Sequence, residues 1–266
     1  MNKRIGFIGC GNMAKAMMGG MIRSEIVDPS DIMVSAKSDL TIQRVTEDFN
    51  VKSTKENVEV AQFADMLFIA VKPNQYEGVL KEIKSAIQDQ IIVTMAAGIT
   101  TMKIEELVGK ETKIVRTMPN TPSLVGEGMT AFCTANLLPS EKQEIVLLLT
   151  SFGKSEEVEE VLMDSIPAVA GSSPAYVFMM IEALADGGVL QGLNRKQAYQ
   201  LAAQAVYGAA KMVLETNIHP AALKDQVCSP GGATIEAVST LEKEGFRGAI
   251  LAAMEECGRK TSELGN

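Results

Sequence analysis

The segment that most limits what this chain can fold into is Gly9-Cys10-Gly11-Asn12-Met13-Ala14, preceded by the apolar run Ile5-Gly6-Phe7-Ile8. An apolar run followed by Gly-x-Gly-x-x-Ala reads as a strand, a tight turn and the start of a helix. Gly9 permits the turn, Gly11 lets the backbone approach a pyrophosphate, and the small Ala14 keeps helix and strand close. The helix start adds unpaired N–H donors and the positive end of a dipole for an anion. A lone glycine fingerprint also fits a purely structural turn. Here a repeating β/α pattern follows it, and that context points to dinucleotide binding.

Residues 4–8 and 31–35 read as strands, with a helix over 12–24 between them. After a polar helix, 66–71 is a buried strand closed by Lys72-Pro73. Residues 74–87 place Tyr76, Val79, Leu80, Ile83 and Ile87 on one helical face. A strand over 91–95 ends in the turn Ala96-Ala97-Gly98, and 113–118 and 129–133 are further strands around a proline-bearing loop. This predicts an α/β fold whose N-terminal part is a Rossmann-like, mostly parallel sheet. Near Asp164 the composition shifts to helix formers, with helices over 174–190, 195–215, 234–244 and 246–262. The expected division is a dinucleotide-binding domain over 1–163 and an all-helical domain over 164–266. The first of those helices is apolar nearly all round, and the other three are too few to surround it. A second subunit is expected to cover it, making a homo-oligomer.

Composition narrows the partners. The 266 residues are 46% hydrophobic and 22% charged, ordinary for a packed protein, with a net charge of −8 and a pI of about 4.9. That balance offers no long-range attraction to nucleic acid or anionic membranes. The most apolar run, residues 175–190, is interrupted by Glu182 and Asp186 and falls short of the roughly 20 apolar residues of a membrane span. The N-terminal residues turn from Lys3 and Arg4 into glycines and Asn12 rather than an apolar signal core, so a cytoplasmic protein is expected. Cys10, Cys133, Cys228 and Cys257 form no Cys-x-x-Cys pair, and the single His219 has no cysteine near it in sequence. No metal site is predicted, and free thiols suit a reducing compartment.

The end of the second strand bears on which dinucleotide is bound. An acid there would accept bonds from a ribose hydroxyl; the chain instead has Val34-Ser35-Ala36-Lys37-Ser38. Ser35, Lys37 and Ser38 suit a 2′-phosphate, which favours NADPH over NADH, unless Lys37 is merely a solvated loop residue. Ligands of open α/β sheets lie beyond the strand C-termini. Three such ends have unusual chemistry: Val71-Lys72-Pro73, Ala96-Ala97-Gly98, and Pro119-Asn120-Thr121-Pro122, where Asn120 offers a donor and an acceptor to a polar ligand. Farther on, Ser229-Pro230-Gly231-Gly232-Ala233-Thr234 precedes an apolar helix. Two glycines and hydroxyl residues at a helix start form a backbone nest suited to a carboxylate. The alternative is simple capping by Thr234 or Ser229.

Over essentially its whole length the chain resembles the pyrroline-5-carboxylate reductases. The resemblance is carried by Phe7 to Ala14, Ala70-Val71-Lys72-Pro73, Ala96-Ala97-Gly98, Asn120-Thr121-Pro122, Ser172-Ser173-Pro174-Ala175-Tyr176, Glu182 to Gly188 and, most specifically, Ser229 to Thr234. It implies a C-terminal dimerisation domain, dimers that assemble further into rings, and NADPH or less often NADH as reductant. It implies cofactor contacts at Ile8, Gly9, Cys10, Gly11, Asn12, Met13, Ser35, Asn57, Val71, Lys72 and Gly98. Substrate contacts fall on Ser229, Gly231, Gly232, Ala233 and Thr234. The expected reaction is reduction of 1-pyrroline-5-carboxylate to proline, with Thr234 hydrogen-bonding the ring nitrogen and no dedicated acid–base residue. Two other readings stand beside it. A dehydrogenase of the β-hydroxyacid or imine type would commonly carry a lysine on the helix at 174–190, which has none. A non-catalytic dinucleotide-binding sensor would bind cofactor without turnover.

Overall fold

A computed structural model describes all residues except Asn2, Ala97 and Asn266, and the side chains of the last three residues. The sheet strands are β1 Ile5–Ile8, β2 Ile32–Ser35, β3 Lys52–Thr54, β4 Met66–Ile69, β5 Ile91–Thr94, β6 Lys113–Met118, β7 Gly128–Ala135 and β8 Gly153–Glu157. They form one eight-stranded sheet in the order β3-β2-β1-β4-β5-β6-β7-β8. Strands β1 to β6 are mutually parallel, β7 runs antiparallel to β6, and β8 pairs parallel with β7.

Six helices cover the sheet: α1 Asn12–Arg23, α2 Asp39–Phe49, α3 Asn57–Phe63, α4 Pro73–Ile83, α5 Thr101–Val108 and α6 Pro139–Leu149. Both faces are covered because the central strands are apolar on both sides. Every residue of β1 and β4 is buried, and Phe7 stacks on Phe68 with ring centroids 4.7 Å apart. One core layer packs Met17, Met18 and Met21 of α1 with Ile145, Leu148 and Leu149 of α6. The other packs Val60 of α3 with Tyr76, Leu80 and Ile83 of α4. Two strands lie outside the sequence expectation, β3 and β8. Both are sheet edges, with the sequences Lys-Ser-Thr and Gly-Lys-Ser-Glu-Glu, and a half-solvated edge strand needs no apolar run to mark it.

Arg116, in the middle of β6, is 1% exposed, and it is paired with Glu160 at 3.4 Å and Asp164 at 2.5 Å. Glu160 also accepts from the Thr101 N–H at 2.8 Å and the Thr101 hydroxyl at 2.6 Å. A buried cation held this way ties the start of α5 to the last strand of the parallel set.

The C-terminal helices are α7 Ser173–Leu190, α8 Arg195–Thr216, α9 Pro220–Val227, α10 Ala233–Lys243 and α11 Phe246–Gly265. By contacts the chain divides after Ser172, beyond the compositional change near Asp164, and the chain from Cys257 on returns to the first unit. Within the second unit α7 and α8 are close: Ala185, Ala198 and Ala202 are buried between them, and Arg195 pairs with Asp186. Ile181 and Val189 pack beside these alanines, and Phe178, Met179, Leu184 and Leu190 of α7 are exposed. A π-helical turn, Pro167–Gly171, extends α7 backward. The helical stretch Pro167–Leu190 is therefore 24 residues long and contains an 18-residue window with a mean hydropathy of 1.3, a length and composition that could cross a bilayer. The core helix of a protein without any membrane span meets the same measure, and Ser172, Ser173, Pro174, Glu182 and Asp186 interrupt the apolar residues along it.

Removing Glu160 leaves the buried Arg116 guanidinium with Asp164 alone and takes the acceptor from the Thr101 N–H and hydroxyl. Glu160→Ala should therefore lower unfolding stability by about 2–3 kcal/mol, while Glu159→Ala, which has no such partner, should change it little. Denaturant unfolding of both variants checks this; equal stabilities would remove Arg116 from the account.

Candidate active site

The strand order reverses between β1 and β4, so the crevice beyond their C-terminal ends is where a ligand of such a sheet binds. Gly9 makes the turn out of β1 with φ +93°, and its N–H donates to the Ser35 carbonyl at 3.0 Å. A Cβ on Gly9 would lie 2.7 Å from the Ala70 carbonyl oxygen, so no other residue fits there. Gly11 differs: nothing lies within 4 Å of where its Cβ would be. It is the N-cap of α1, and neither a side-chain cap nor an acidic residue occupies that first turn. Close packing behind Gly9 and open space above Gly11 form a cradle that fits a pyrophosphate on the helix end.

Beside the turn is a cavity of about 520 Å³, roomy enough for the adenosine end of a dinucleotide. Its walls bring together Gly9, Cys10, Ser35, Lys37, Asn57, Val71 and Lys72, all expected from sequence. Ile8 is buried at the end of β1, its carbonyl accepting from the Ala70 N–H, and Asn12 and Met13 open α1. Gly98 turns after β5 with φ +75°; its neighbour Ala97 lies outside the described residues. Burial pushes the Cys10 thiol up, so it stays neutral beside an anion.

Ser35 departs from expectation in one respect. It is 1% exposed, and its hydroxyl donates to Asn57 Oδ1 at 2.7 Å. Asn57 Nδ2 in turn donates to Glu82 Oε2 at 2.9 Å. Sequence reading missed Lys55, Gln75, Val79 and Glu82 in this wall. The last three are spaced by four and three along α4, a helical stripe that periodicity could have revealed. Lys55 pairs with Asp39 at 2.6 Å.

The basis for Asn120 as a ligand contact needs correction. Its Nδ2 donates to the Ala170 carbonyl at 3.0 Å and its Oδ1 accepts from the Met129 N–H at 2.8 Å, with the residue buried. Both kinds of group that recommended it are bound to backbone, where they tie the loop after β6 to β7 and to the turn Pro167–Gly171.

In the helical unit, Gly231 has φ +66°, and the Gly232 N–H donates to the Ser229 carbonyl at 3.0 Å. Gly232 is the N-cap of α10 and no side chain caps it. Thr234 is therefore the second residue of the helix and not its cap, and it is exposed. The first-turn N–H groups of a helix have no intrahelical partner. Together with the Thr234 and Ser229 hydroxyls they form a concentrated set of donors for a carboxylate. His219 serves a different purpose, capping α9 through Nδ1, which accepts from the Ala221 N–H at 3.2 Å. Among the described residues no cluster of three or more His, Cys, Asp or Glu side chains could hold a metal ion.

A doubly wound sheet with an open glycine turn at its switch point defines a dinucleotide-binding protein of the Rossmann class. The family profile described as NADP oxidoreductase, coenzyme F420-dependent, matches residues 4–98, and that for pyrroline-5-carboxylate reductase dimerisation matches 160–264. The pyrroline-5-carboxylate reductase of Escherichia coli (strain K12) is 49% identical, over 99% of each chain. The solved structure of a pyrroline-5-carboxylate reductase from Coxiella burnetii covers 100% of both chains with a TM-score of 0.92 at 34% identity. That of the Plasmodium falciparum pyrroline carboxylate reductase with NADP bound covers 100% of this chain and 99% of its own, with a TM-score of 0.89 at 33% identity. This chain belongs to the pyrroline-5-carboxylate reductase family, whose members are NAD(P)H-dependent oxidoreductases.

Gly9→Ala forces a side chain into a left-handed φ and against a carbonyl, a strain of about 1–3 kcal/mol. It should weaken NADPH binding by about tenfold or more, because 1.4 kcal/mol is a factor of ten. Calorimetric titration checks this, and unchanged affinity would contradict the cradle.

Proposed function

We propose that this chain reduces 1-pyrroline-5-carboxylate to proline, with NADPH as the reductant. The observation that carries this reading is the pairing, in one chain, of an open dinucleotide cradle with an uncapped helix start that presents a free hydroxyl. Residues 1–163 hold the dinucleotide and 164–266 hold the substrate and the subunit contact.

The substrate is a cyclic imine bearing a carboxylate. The backbone N–H groups of Gly231, Ala233 and Thr234, with the Ser229 hydroxyl, bind the carboxylate, while the Gly232 N–H closes the turn on the Ser229 carbonyl. The Thr234 Oγ accepts from the protonated ring nitrogen, which withdraws electrons from the adjacent carbon. Two anchors on a small flat ring fix its orientation and offer one face to the donor. Bound NADPH supplies the hydride from nicotinamide C4. In balance, imine, hydride and one proton give the secondary amine, and the proton arrives with the iminium. An imine protonates readily in water, so no side chain has to act as a general acid.

The bare apolar faces of α7 and α8 belong against a second copy of the chain, giving a homodimer that can build into rings of dimers. A partner subunit, rather than a bilayer, suits a helix that carries Glu182 and Asp186 along its length. The four cysteines are free thiols, which suits a cytoplasmic enzyme.

Mixing protein, NADPH and the cyclic imine should consume NADPH and form proline in equal amounts; binding without turnover would favour the sensor. Thr234→Ala removes a bond to a charged group and should lower kcat/KM by roughly 10- to 150-fold with the melting temperature unchanged. A destabilised variant with normal kinetics would return Thr234 to the scaffold. Met179→Asp places a charge on a surface that is 70% exposed in the single chain. It should lower the assembled mass seen by light scattering without unfolding the subunit; an unchanged mass would contradict the dimer face.

A further inference from the structure

The hydrogen-bond chain at the end of β2 has a direction. Glu82 carries a carboxylate, which can only accept. It therefore holds Asn57 with Nδ2 toward itself, at 2.9 Å, and Oδ1 toward Ser35. Asn57 Oδ1 can only accept as well, so the Ser35 hydroxyl gives it its one proton, at 2.7 Å. Ser35 is the last residue of β2, with its backbone fixed by the bond from the Gly9 N–H. In this polarity its hydroxyl has only lone pairs left for a ligand in the cavity.

The two dinucleotides meet that group differently. A ribose 2′-hydroxyl can donate to Ser35 Oγ. A 2′-phosphate dianion cannot, and it needs Ser35 to donate. If Ser35 does so with Asn57 unmoved, its Oγ faces Asn57 Oδ1 with no proton between them; if Asn57 turns its amide over, Oδ1 faces the Glu82 carboxylate in the same way. Glu82 also adds a negative charge to a wall whose cations are Lys37, Lys55 and Lys72. Both effects have the same sign.

We propose that Glu82 is a specificity-determining residue that acts through Asn57 and Ser35 to restrain the preference for NADPH and keep NADH usable. The proposal rests on the reductase reading for its kinetic test and on the cavity alone for its binding test. In Glu82→Gln the new amide can donate to a turned Asn57, so the chain of bonds can reverse. The ratio of kcat/KM for NADPH to that for NADH should rise by about three- to tenfold, the worth of one hydrogen bond. Calorimetry should show adenosine 2′,5′-bisphosphate binding the variant more tightly by a similar factor, with 5′-AMP binding unchanged. In an Asn57→Ala background the same substitution should have a clearly smaller effect on that difference, since the link is gone and only the charge contribution is left.

Glu82 is exposed at the surface end of α4, so the variant is expected to fold. An unchanged or lowered preference for the 2′-phosphate would overturn the proposal. So would an effect of full size in the Asn57→Ala background, which would leave charge repulsion alone. If no cofactor supported turnover of the imine, the reductase reading would fail, and the two adenosine ligands would still decide the role of Glu82.

Discussion

The whole nucleotide-binding unit is organised around one close approach, that of the β1–α1 turn to the carbonyl of Ala70. With 2.7 Å between that oxygen and a would-be Cβ on Gly9, the turn has no freedom to move outward. Its position fixes where α1 begins, and α1 sends Met17, Met18 and Met21 into the core under Phe7 and Phe68. The same turn bonds to the end of β2 through Ser35. Packing that keeps the strands in register thus also points the first N–H groups of α1 at empty space. Stability and anion binding share one geometry here, so substitution at Gly9 affects both.

Net charge would have given the wrong impression of this crevice. The chain is strongly acidic, yet the wall near Ser35 gathers Lys37, Lys55 and Lys72. An anion at the site responds to charges within about a Debye length, near 8–10 Å, and to the helix end it touches. The remaining charges supply solubility. Glu82 is the exception among the groups facing the cavity, and Asn57 gives its carboxylate a structural partner as well as an electrostatic effect.

The central strands, the glycine cradle and most of the cavity wall were legible from the sequence, because buried strands are continuous apolar runs and turns at positive φ demand glycine. Edge strands β3 and β8 were not, since half-solvated strands carry polar residues. Asn120 shows a related limit: a side chain with both donor and acceptor is as useful for tying loops as for holding a ligand, and the sequence does not show that it bonds Ala170 and Met129. Gln75 and Glu82 are polar residues at the edge of the apolar face of α4, and Val79 reads from sequence as core, so the periodicity that reveals the helix does not single out the three as cavity wall. Thr234 could be read from sequence as cap or contact; the start of α10 at Ala233 settles only that it is not the cap.

The proposed chemistry uses a cofactor cradle, a carboxylate nest and one hydroxyl, and it draws on no titrating side chain. Its central claim is that the hydride goes directly from nicotinamide C4 to the ring carbon of the C=N bond. Turnover with NADPH deuterated at the transferred C4 position, followed by mass and NMR analysis of the proline formed, measures this directly. The account predicts one deuterium per proline, located on the δ-carbon and absent from the α-carbon and from solvent. Unlabelled proline, or label at the α-carbon, would contradict it.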